Sequence, residues 1–219
     1  MARPKGGYKL KDGTRVPGTT TITGRYKDSA GLIHWAWDLG MNGVDYRAAR
    51  DQAADAGTLA HDMIEARICG RDPFAVEGDP EQFEKARQAY DSFEEWFAGT
   101  RIKIVATEMP LVSEIHRFGG TPDGLGEEVS GAFCLLDWKS SNKIYPEYLL
   151  QLAAYRQLVE ENGICGCIER FHLLRVGKEF CDFHHHSWPR EALDPAWRAF
   201  GLMRDLYDLD KRLKSIAGT

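Results

Sequence analysis

Two opposite charges lie inside an apolar run of the sequence, in CLLDWKSSN at residues 134–142. Side chains alternate between the two faces of a strand, so Asp137 and Lys139 would share one face with Phe133 and Leu135. Buried charges are costly unless they are paired or bind a metal. The pair is therefore either a structural ion pair at the end of a strand or the edge of an active site.

A further carboxylate, Asp123 in GGTPDG, precedes this pair by fourteen residues. A hairpin of that length can place Asp123 beside Asp137. Neighbouring carboxylates repel each other, and one of them resists ionisation unless a cation lies between them. Oxygen ligands suit Mg²⁺ or Mn²⁺, which lower the pKa of bound water and stabilise charge on a phosphoryl oxygen. With Lys139 available to act on the attacking water, these residues favour metal-assisted hydrolysis of a phosphodiester bond.

Four segments follow one another in the order GTLAH, GGTPD, LLDWKSS and QLAAY. Together they resemble the motif series of the PD-(D/E)xK nuclease superfamily, in its RecB-like branch, over roughly residues 15–175. The branch includes the mitochondrial genome maintenance exonuclease and CRISPR adaptation nucleases. The segment VPGTTTITGRYKDSAGLIHWAWDLG also resembles the start of small phage and prophage exonucleases. The resemblance implies a restriction-endonuclease-like core.

The resemblance also implies roles for individual residues. Those that would bind Mg²⁺ or Mn²⁺ are His61, Asp123, Asp137 and the carbonyl of Trp138. Asp123 and Asp137 would be catalytic together with the lysine of the motif, Lys139. Those that would support the site or contact DNA are Glu108, Gln151 and Tyr155, with metal binding as a second possibility for Glu108. Gln151 and Tyr155 lie one helical turn apart, on the same face as Glu147.

Simpler explanations exist for each of these residues. His61 could be an ordinary helix histidine, and Gln151 and Tyr155 could be packing residues. Asp123 is favoured in a PDG turn in any case. Trp35 and Trp37 lie at helical spacing and are interpreted as core residues. The run His184–His186 is a poor chelator, because adjacent side chains of a strand point to opposite faces.

The five cysteines predict neither a disulfide framework nor a cluster. Some relatives hold an iron–sulfur cluster with one cysteine before the histidine motif and three late in the chain. Here no cysteine precedes His61, and Cys165, Cys167 and Cys181 do not match the late spacing. We therefore expect no iron–sulfur cluster.

Charge is distributed unevenly in a chain whose net charge is −5. Residues 1–27 contain seven Lys or Arg and one acid. Such a basic arm, with Tyr8 and Tyr26 interleaved, could guide a DNA strand, although on charge alone a solvated hairpin is the preferred explanation. No apolar run is long enough for a membrane span, and no secretory signal is evident, so we expect a cytoplasmic protein without a membrane partner.

Periodicity predicts a single α/β (α+β) domain with a mixed central sheet flanked by helices. We expect a basic hairpin at 1–28, a helical region at 29–100, the catalytic sheet and helix at 101–187, and a closing helix at 188–219. Ser29 and Asp79 are the expected helix caps. Three strands are expected between the helical region and the helix that begins near Pro146.

These observations predict a metal-dependent exonuclease that acts on DNA ends or single strands, in phage or prophage recombination, repair or processing. A recombination protein is an expected partner. Two alternatives stay open: a nucleic-acid-binding module with weak catalysis on the same fold, and a structure-specific endonuclease.

Overall fold

The computed structural model describes residues 4, 6–26, 30–141, 143–178 and 182–218. In chain order its elements are β1 (Tyr8–Lys9), β2 (Arg15–Val16), α1 (Thr19–Arg25), α2 (Ala30–Met41), α3 (Tyr46–Ile68), α4 (Pro80–Gly99), β3 (Lys103–Thr107), β4 (Leu111–Ser113), β5 (Phe118–Gly120), β6 (Gly124–Glu127), β7 (Phe133–Lys139), α5 (Pro146–Glu161), β8 (Ile168–Val176), β9 (Phe183–Pro189), a 3₁₀ helix (Arg190–Leu193) and α6 (Asp194–Ala217).

A five-stranded mixed sheet in the order β3-β6-β7-β8-β9 lies at the centre. Only β7 and β8 are parallel, and α5 connects them, because a parallel pair needs a crossover. The other neighbouring strands are antiparallel. Helices cover both faces of the sheet, which confirms the predicted class.

Strand β7 is buried on both faces because a hydrophobic cluster lies on each side of the sheet. Leu135 belongs to the cluster that includes residues of α1, α5 and α6. Leu136 and Trp138 belong to the cluster with α3 and α4, where the Trp138 ring meets Phe93 edge-on. A strand covered on both faces has an almost continuous apolar sequence, as β7 does.

Helix α4 begins as the sequence predicts. The Asp79 carboxylate accepts a hydrogen bond from the Glu81 N–H (3.0 Å), and Pro80 occupies the first turn. Asp45 caps α3 in the same way. The cap expected at Ser29 lies outside the described residues.

Helix α2 corrects the interpretation of its two tryptophans as core residues. None of its residues is buried, and Trp35 and Trp37 are 38% and 60% exposed. The Trp35 ring contacts Tyr46 of α3 edge-on. Helical spacing alone therefore gave the wrong environment, because spacing does not specify whether another element covers the apolar face.

The N-terminal segment differs from the hairpin expected over 1–28. Strands β1 and β2 pair as expected, but Thr19–Arg25 form α1. The fully buried Ile22 joins the main core, and the Thr19 hydroxyl donates to the Gly119 carbonyl at 3.0 Å. These tertiary contacts outweigh the strand preference of Thr and Ile.

Tyr8 is buried, so it does not offer its ring to a DNA strand as expected. A side chain at Gly119 would clash with the Tyr8 ring. The Tyr8 hydroxyl lies 2.9 Å from the Thr121 hydroxyl. The hairpin is thus held by the body of the molecule, and it presents the exposed charges of Lys9, Lys11 and Arg15.

The region between α4 and α5 contains five strands where three were expected. The alternating stretch 101–114 divides into β3 and β4, with Glu108 between them. Strands β4 and β5 form a separate antiparallel pair outside the central sheet. The predicted hairpin of β8 and β9 is confirmed, although Cys181 lies outside the described residues. Among the helices described, none is both long and apolar enough to cross a membrane.

Candidate metal centre

The β6–β7 hairpin brings Asp123 and Asp137 to the same end of the sheet. Gly124 pairs with Leu136, so one further step of the antiparallel register places Asp123 opposite Asp137. The Asp123 carboxylate accepts a hydrogen bond from the Trp138 N–H at 3.0 Å. Both aspartates are almost completely buried. The structure therefore produces the pairing of carboxylates that the sequence predicted.

Lys139 contacts the same carboxylate with which it shares a strand face. Its Nζ donates to Asp137 Oδ1 at 2.8 Å and lies 2.7 Å from Oδ2. The ammonium group also lies over the Tyr148 ring of α5, 5.2 Å from its centroid. The lysine is thus fixed between a strand carboxylate and a helix aromatic ring.

His61 reaches the site from α3, which packs on the face of the sheet opposite to α5. Its side chain is 9% exposed, and its Nδ1 lies 3.9 Å from Asp123 Oδ2. This nitrogen and Asp123 Oδ1 are buried without a hydrogen-bond partner among the described residues. Such atoms are unusual, because buried polar groups are nearly always satisfied.

Glu108 enters the same cluster from the end of β3. One ligand atom each of His61, Glu108 and Asp123 lies within 4.8 Å of the others. Glu108 has a φ of 48°, which is rare for a residue with a side chain, and its N–H donates to the Asp123 carbonyl at 3.3 Å. Backbone strain of this kind costs about 1–3 kcal/mol and often occurs at functional sites. The sequence had predicted a supporting role for Glu108, with metal binding as the second possibility.

Gln151 and Tyr155 lie behind the aspartates on α5. The Gln151 Nε2 donates to the Tyr155 hydroxyl at 2.7 Å, and both residues are buried. A Cβ at Gly120 would lie 2.6 Å from the Tyr155 ring, so the ring packs directly on that backbone. This burial favours support of the site over direct contact with DNA.

The pKa values follow from burial of several charges in one place. Burial raises the pKa of Asp137 to about 7, and the Asp123 charge also raises it, while Lys139 opposes both. Burial also raises the pKa of Asp123. Burial and then the Lys139 charge lower the pKa of His61 to about 3, so its imidazole is neutral and can bind a metal.

Lys139 stays cationic in this environment. Burial alone would lower the pKa of its amine, but the Asp137 and Asp123 carboxylates outweigh burial and raise it. One lysine cannot neutralise two buried carboxylates, which leaves the aspartates hard to ionise. A divalent cation would supply the missing charge.

The donor atoms fit Mg²⁺ or Mn²⁺. Carboxylate oxygens are the ligands that both ions prefer, and one neutral imidazole is compatible with Mn²⁺. The unpaired Nδ1 of His61 and Oδ1 of Asp123 are the atoms that such an ion would satisfy. The structure brings Glu108, His61 and Asp123 together, and it holds Asp137 against Lys139. Nothing in the geometry tests the Trp138 carbonyl, which stays a predicted ligand.

Two cavities with shared lining residues lie beside His61 and Lys139. A cleft of about 260 Å³ is lined by His61, Lys139, Ser140 and Ser141, among others. Both serines also line a groove of about 960 Å³. The charged residues of that groove are Lys85, Lys143, Arg175, Lys178 and the single acid Asp182. The exposed Trp35 also lines the groove, so sequence reasoning missed this position when it assigned the ring to the core.

The histidine run and the cysteines do not join the site in the described parts of the chain. His184 and His186 line the groove, whereas His185 contacts His172 and Trp96 on the opposite face. This alternation confirms the poor chelating geometry expected from the sequence. Cys69, Cys134, Cys165 and Cys167 are free thiols. The absence of an iron–sulfur cluster stays a prediction.

No family model and no curated protein matches the chain. Among solved structures, the chain is similar to an alkaline exonuclease (LHK-Exo) from Laribacter hongkongensis. In its complex with dAMP, identity is 16% over 76% of this chain and 91% of that chain, with a TM-score of 0.42. A second crystal structure of the same exonuclease gives 15% identity, coverage of 77% and 92%, and a TM-score of 0.37.

A candidate exonuclease from Eubacterium rectale is also similar. It shares 14% identity over 94% of this chain and 76% of its own, with a TM-score of 0.42. Similarities at this level do not assign an activity to the chain.

Proposed function

We propose that the chain is a metal-dependent nuclease that hydrolyses phosphodiester bonds of DNA, with Mg²⁺ or Mn²⁺ as the cofactor. The observation that supports this most is the cluster of the buried Asp123 and Asp137 with the partly exposed Lys139, beside unpaired donor atoms on His61 and Asp123. A buried polar atom without a partner costs about 1–3 kcal/mol of folding free energy, and a bound cation would remove this cost for both atoms.

We assign metal binding to His61, Asp123 and Asp137, together with the carbonyl of Trp138. Glu108 is a further ligand in this proposal, because its carboxylate lies with His61 and Asp123. When bound, the cation supplies charge stabilisation at the phosphoryl group and acidifies water. The Trp138 N–H fixes Asp123, and Gln151 and Tyr155 support the backbone behind it.

Lys139 supplies electrostatic stabilisation in the proposed mechanism. Its amine is cationic and lies against Asp137, at the edge of the open cleft. From there it orients the attacking water by a hydrogen bond and offsets the negative charge that develops on the phosphoryl oxygens. Because its pKa is raised, we assign it positioning and charge stabilisation in preference to proton abstraction.

DNA as the substrate is supported by the charge of the adjoining groove. Four basic residues and one acid line a cavity that shares Ser140 and Ser141 with the cleft. Phosphate contacts of this kind supply affinity without sequence preference. The exposed Lys9, Lys11 and Arg15 of the N-terminal hairpin are further candidates for contact with the strand.

We further propose exonuclease action at DNA ends, in phage or prophage recombination, repair or processing, on the strength of the motif series alone. The test is digestion of end-labelled linear duplex, end-labelled single strand and a closed circle, each with Mg²⁺, Mn²⁺ or EDTA. An exonuclease degrades the linear substrates with either metal and leaves the circle intact. Asp137→Asn, purified in parallel, controls for a contaminating nuclease.

The same assay separates the alternatives. Cleavage of the closed circle would favour an endonuclease over the exonuclease. DNA binding without cleavage of any substrate, under all metal conditions, would contradict the nuclease and favour a binding module.

A further inference from the structure

A row of large apolar side chains lies exposed along α6. Its members are Leu202, Leu206, Leu209, Leu213 and Ile216, between 46% and 83% exposed. They follow one another at steps of four, three, four and three residues. This 3.5-residue repeat is the pattern of a coiled-coil seam, and we call these five residues the α6 stripe.

The opposite face of α6 already packs on the domain. Phe200 is fully buried, and Met203 and Tyr207 pack against the same core. At 100° per residue the α6 stripe lies on the side of the helix that faces away from these residues. The helix is therefore formed and held before any partner arrives, so a short seam need not supply the cost of helix nucleation.

The far end of α6 leaves room for a partner helix. Residues 211–218 are all exposed, and Leu213 and Ile216 lie in this part. A contiguous apolar row on an exposed helix is a feature of interaction sites. Isolated apolar residues on a surface are ordinary, but a row that keeps one register over four steps is not.

We propose that a second copy of this chain covers the α6 stripe, with the two α6 helices packed antiparallel. In this arrangement Leu206 of one copy packs beside Leu209 of the second copy, and Leu202 beside Leu213. Ile216 of each copy then lies beside Ala199 of the second copy, and the interface is self-complementary about a two-fold axis.

The charges that flank the stripe select the antiparallel direction. Asp205 and Arg212 lie on one edge of the stripe, seven residues apart. In the antiparallel pair Asp205 faces Arg212 of the second copy, twice per dimer. In a parallel pair the same aspartate would face Asp210 of the second copy, which places like charges together. Asp210 instead keeps its own salt bridge with Arg25.

The dimer is expected to be weak. Two heptads bury less than the ~1,600 Å² of a standard protein interface, so we expect a Kd on the order of micromolar. Monomer and dimer should therefore exchange within an accessible concentration range. The dimer is inferred from the residues of α6 alone and does not rest on the proposed nuclease.

Sedimentation equilibrium of the full chain over a wide concentration range tests the proposal. The parent should dimerise, and Leu206→Glu with Leu209→Glu should stay monomeric at every concentration. The control is Val129→Glu, which places a single glutamate at an apolar side chain that is 78% exposed in the β6–β7 turn. It should dimerise like the parent. Circular dichroism spectra should show equal helix content in all three proteins.

A charge reversal tests the direction. Asp205→Arg should weaken the dimer at least several-fold, and adding Arg212→Asp should restore it. A parent that stays monomeric overturns the proposal, including the case in which a membrane or another protein covers the stripe. A dimer that survives the double Leu→Glu change uses another surface and also overturns it. Tighter association of Asp205→Arg would overturn the antiparallel arrangement.

Discussion

Two ion pairs of the molecule, each between a carboxylate and a basic side chain, differ in the hydrogen bonds that surround them. Asp137 and Lys139 end β7, while Glu160, at the end of α5, pairs with Arg190 of the 3₁₀ helix. In the second pair, one Glu160 oxygen accepts from the Ile168 N–H at 2.9 Å and the other accepts from Arg190 at 3.0 Å. Arg190 also donates to the Ile168 carbonyl at 2.7 Å.

The two pairs differ in whether their hydrogen-bonding capacity is used. Burial raises the pKa of Glu160, but the hydrogen bonds from Arg190 and Ile168 outweigh burial and lower it. At Asp137 burial wins, and the pKa rises to about 7. Glu160 and Arg190 form a structural ion pair whose hydrogen bonds are satisfied. Asp137, by contrast, lies beside a second carboxylate and an imidazole whose Nδ1 has no hydrogen-bond partner. This contrast favours an active-site edge over a strand-end ion pair for Asp137 and Lys139.

Removal of the Asp137 carboxylate should have the largest effect. We expect Asp137→Ala to abolish both cleavage and tight Mn²⁺ binding, because it removes a ligand and a neighbour of Lys139. Isothermal titration with Mn²⁺ and a cleavage rate on linear DNA measure the two losses. If the variant binds Mn²⁺ as tightly as the parent, Asp137 is not a ligand.

Lys139→Ala should separate catalysis from metal binding. Loss of one preorganised electrostatic group costs about 10²–10³ in rate, so cleavage should fall by that factor while Mn²⁺ and DNA still bind. Single-turnover kinetics beside the same titration measure both quantities. Cleavage within a few-fold of the parent would show the proposed mechanism to be wrong.

Glu108→Gln should weaken the metal site by a smaller factor. We expect Mn²⁺ affinity to fall at least about 10-fold, because glutamine removes the charge of a proposed ligand and loss of an outer-shell partner alone costs about 10–100-fold. Glu114→Gln, in the exposed turn between β4 and β5, is the matched control for the lost charge. Equal Mn²⁺ affinities of the two variants would return Glu108 to a purely supporting role.

The stability of the metal-free protein should depend on pH through Asp137. Its folded pKa, about 7, lies above its ordinary value of 3.8, so the folded state favours the protonated acid. The stabilising contribution is complete below pH 4 and is lost as the pH rises towards 7. In EDTA, the Tm of the parent should therefore fall relative to that of Asp137→Asn between pH 4 and pH 7. Parallel Tm curves would contradict a raised pKa.

Disruption of the Glu160–Arg190 pair should have the smallest effect and spare activity. Arg190→Met removes hydrogen bonds to a partly exposed carboxylate, so we expect a loss of about 1 kcal/mol in the free energy of unfolding. Cleavage per folded molecule should be unchanged. Urea denaturation and an activity assay check both, and a loss of activity beyond the unfolded fraction would erase the distinction between the two pairs.

Much of the central domain could be predicted from local pattern. Strand β7, helix α4 with its Asp79 cap and the β8–β9 hairpin were all visible as periodicity and turn residues. The pairing of Asp123 with Asp137 also followed, since a hairpin needs only a register to bring its arms together. Such features depend on short stretches of chain, where each residue's preference is expressed directly.

The predictions that were wrong concern residues whose environment depends on parts of the chain that are distant in sequence. Thr19–Arg25 became helix because Ile22 enters the core, and Tyr8 became buried because Gly119 leaves space for its ring. The tryptophans of α2 remained exposed because none of the described elements covers them. In each case packing against a distant segment, or its absence, decided the environment.

The sequence by itself determined which residue types were available and that Asp137 and Lys139 share one face of a strand, because side chains alternate with a fixed period of two. Only the tertiary structure decided that Glu108 of the β3 end and His61 of α3 meet Asp123. That meeting requires a helix packed across the sheet and a left-handed backbone turn at Glu108. No local preference encodes such a contact, since its stability comes from many weak packing interactions between elements far apart in the chain.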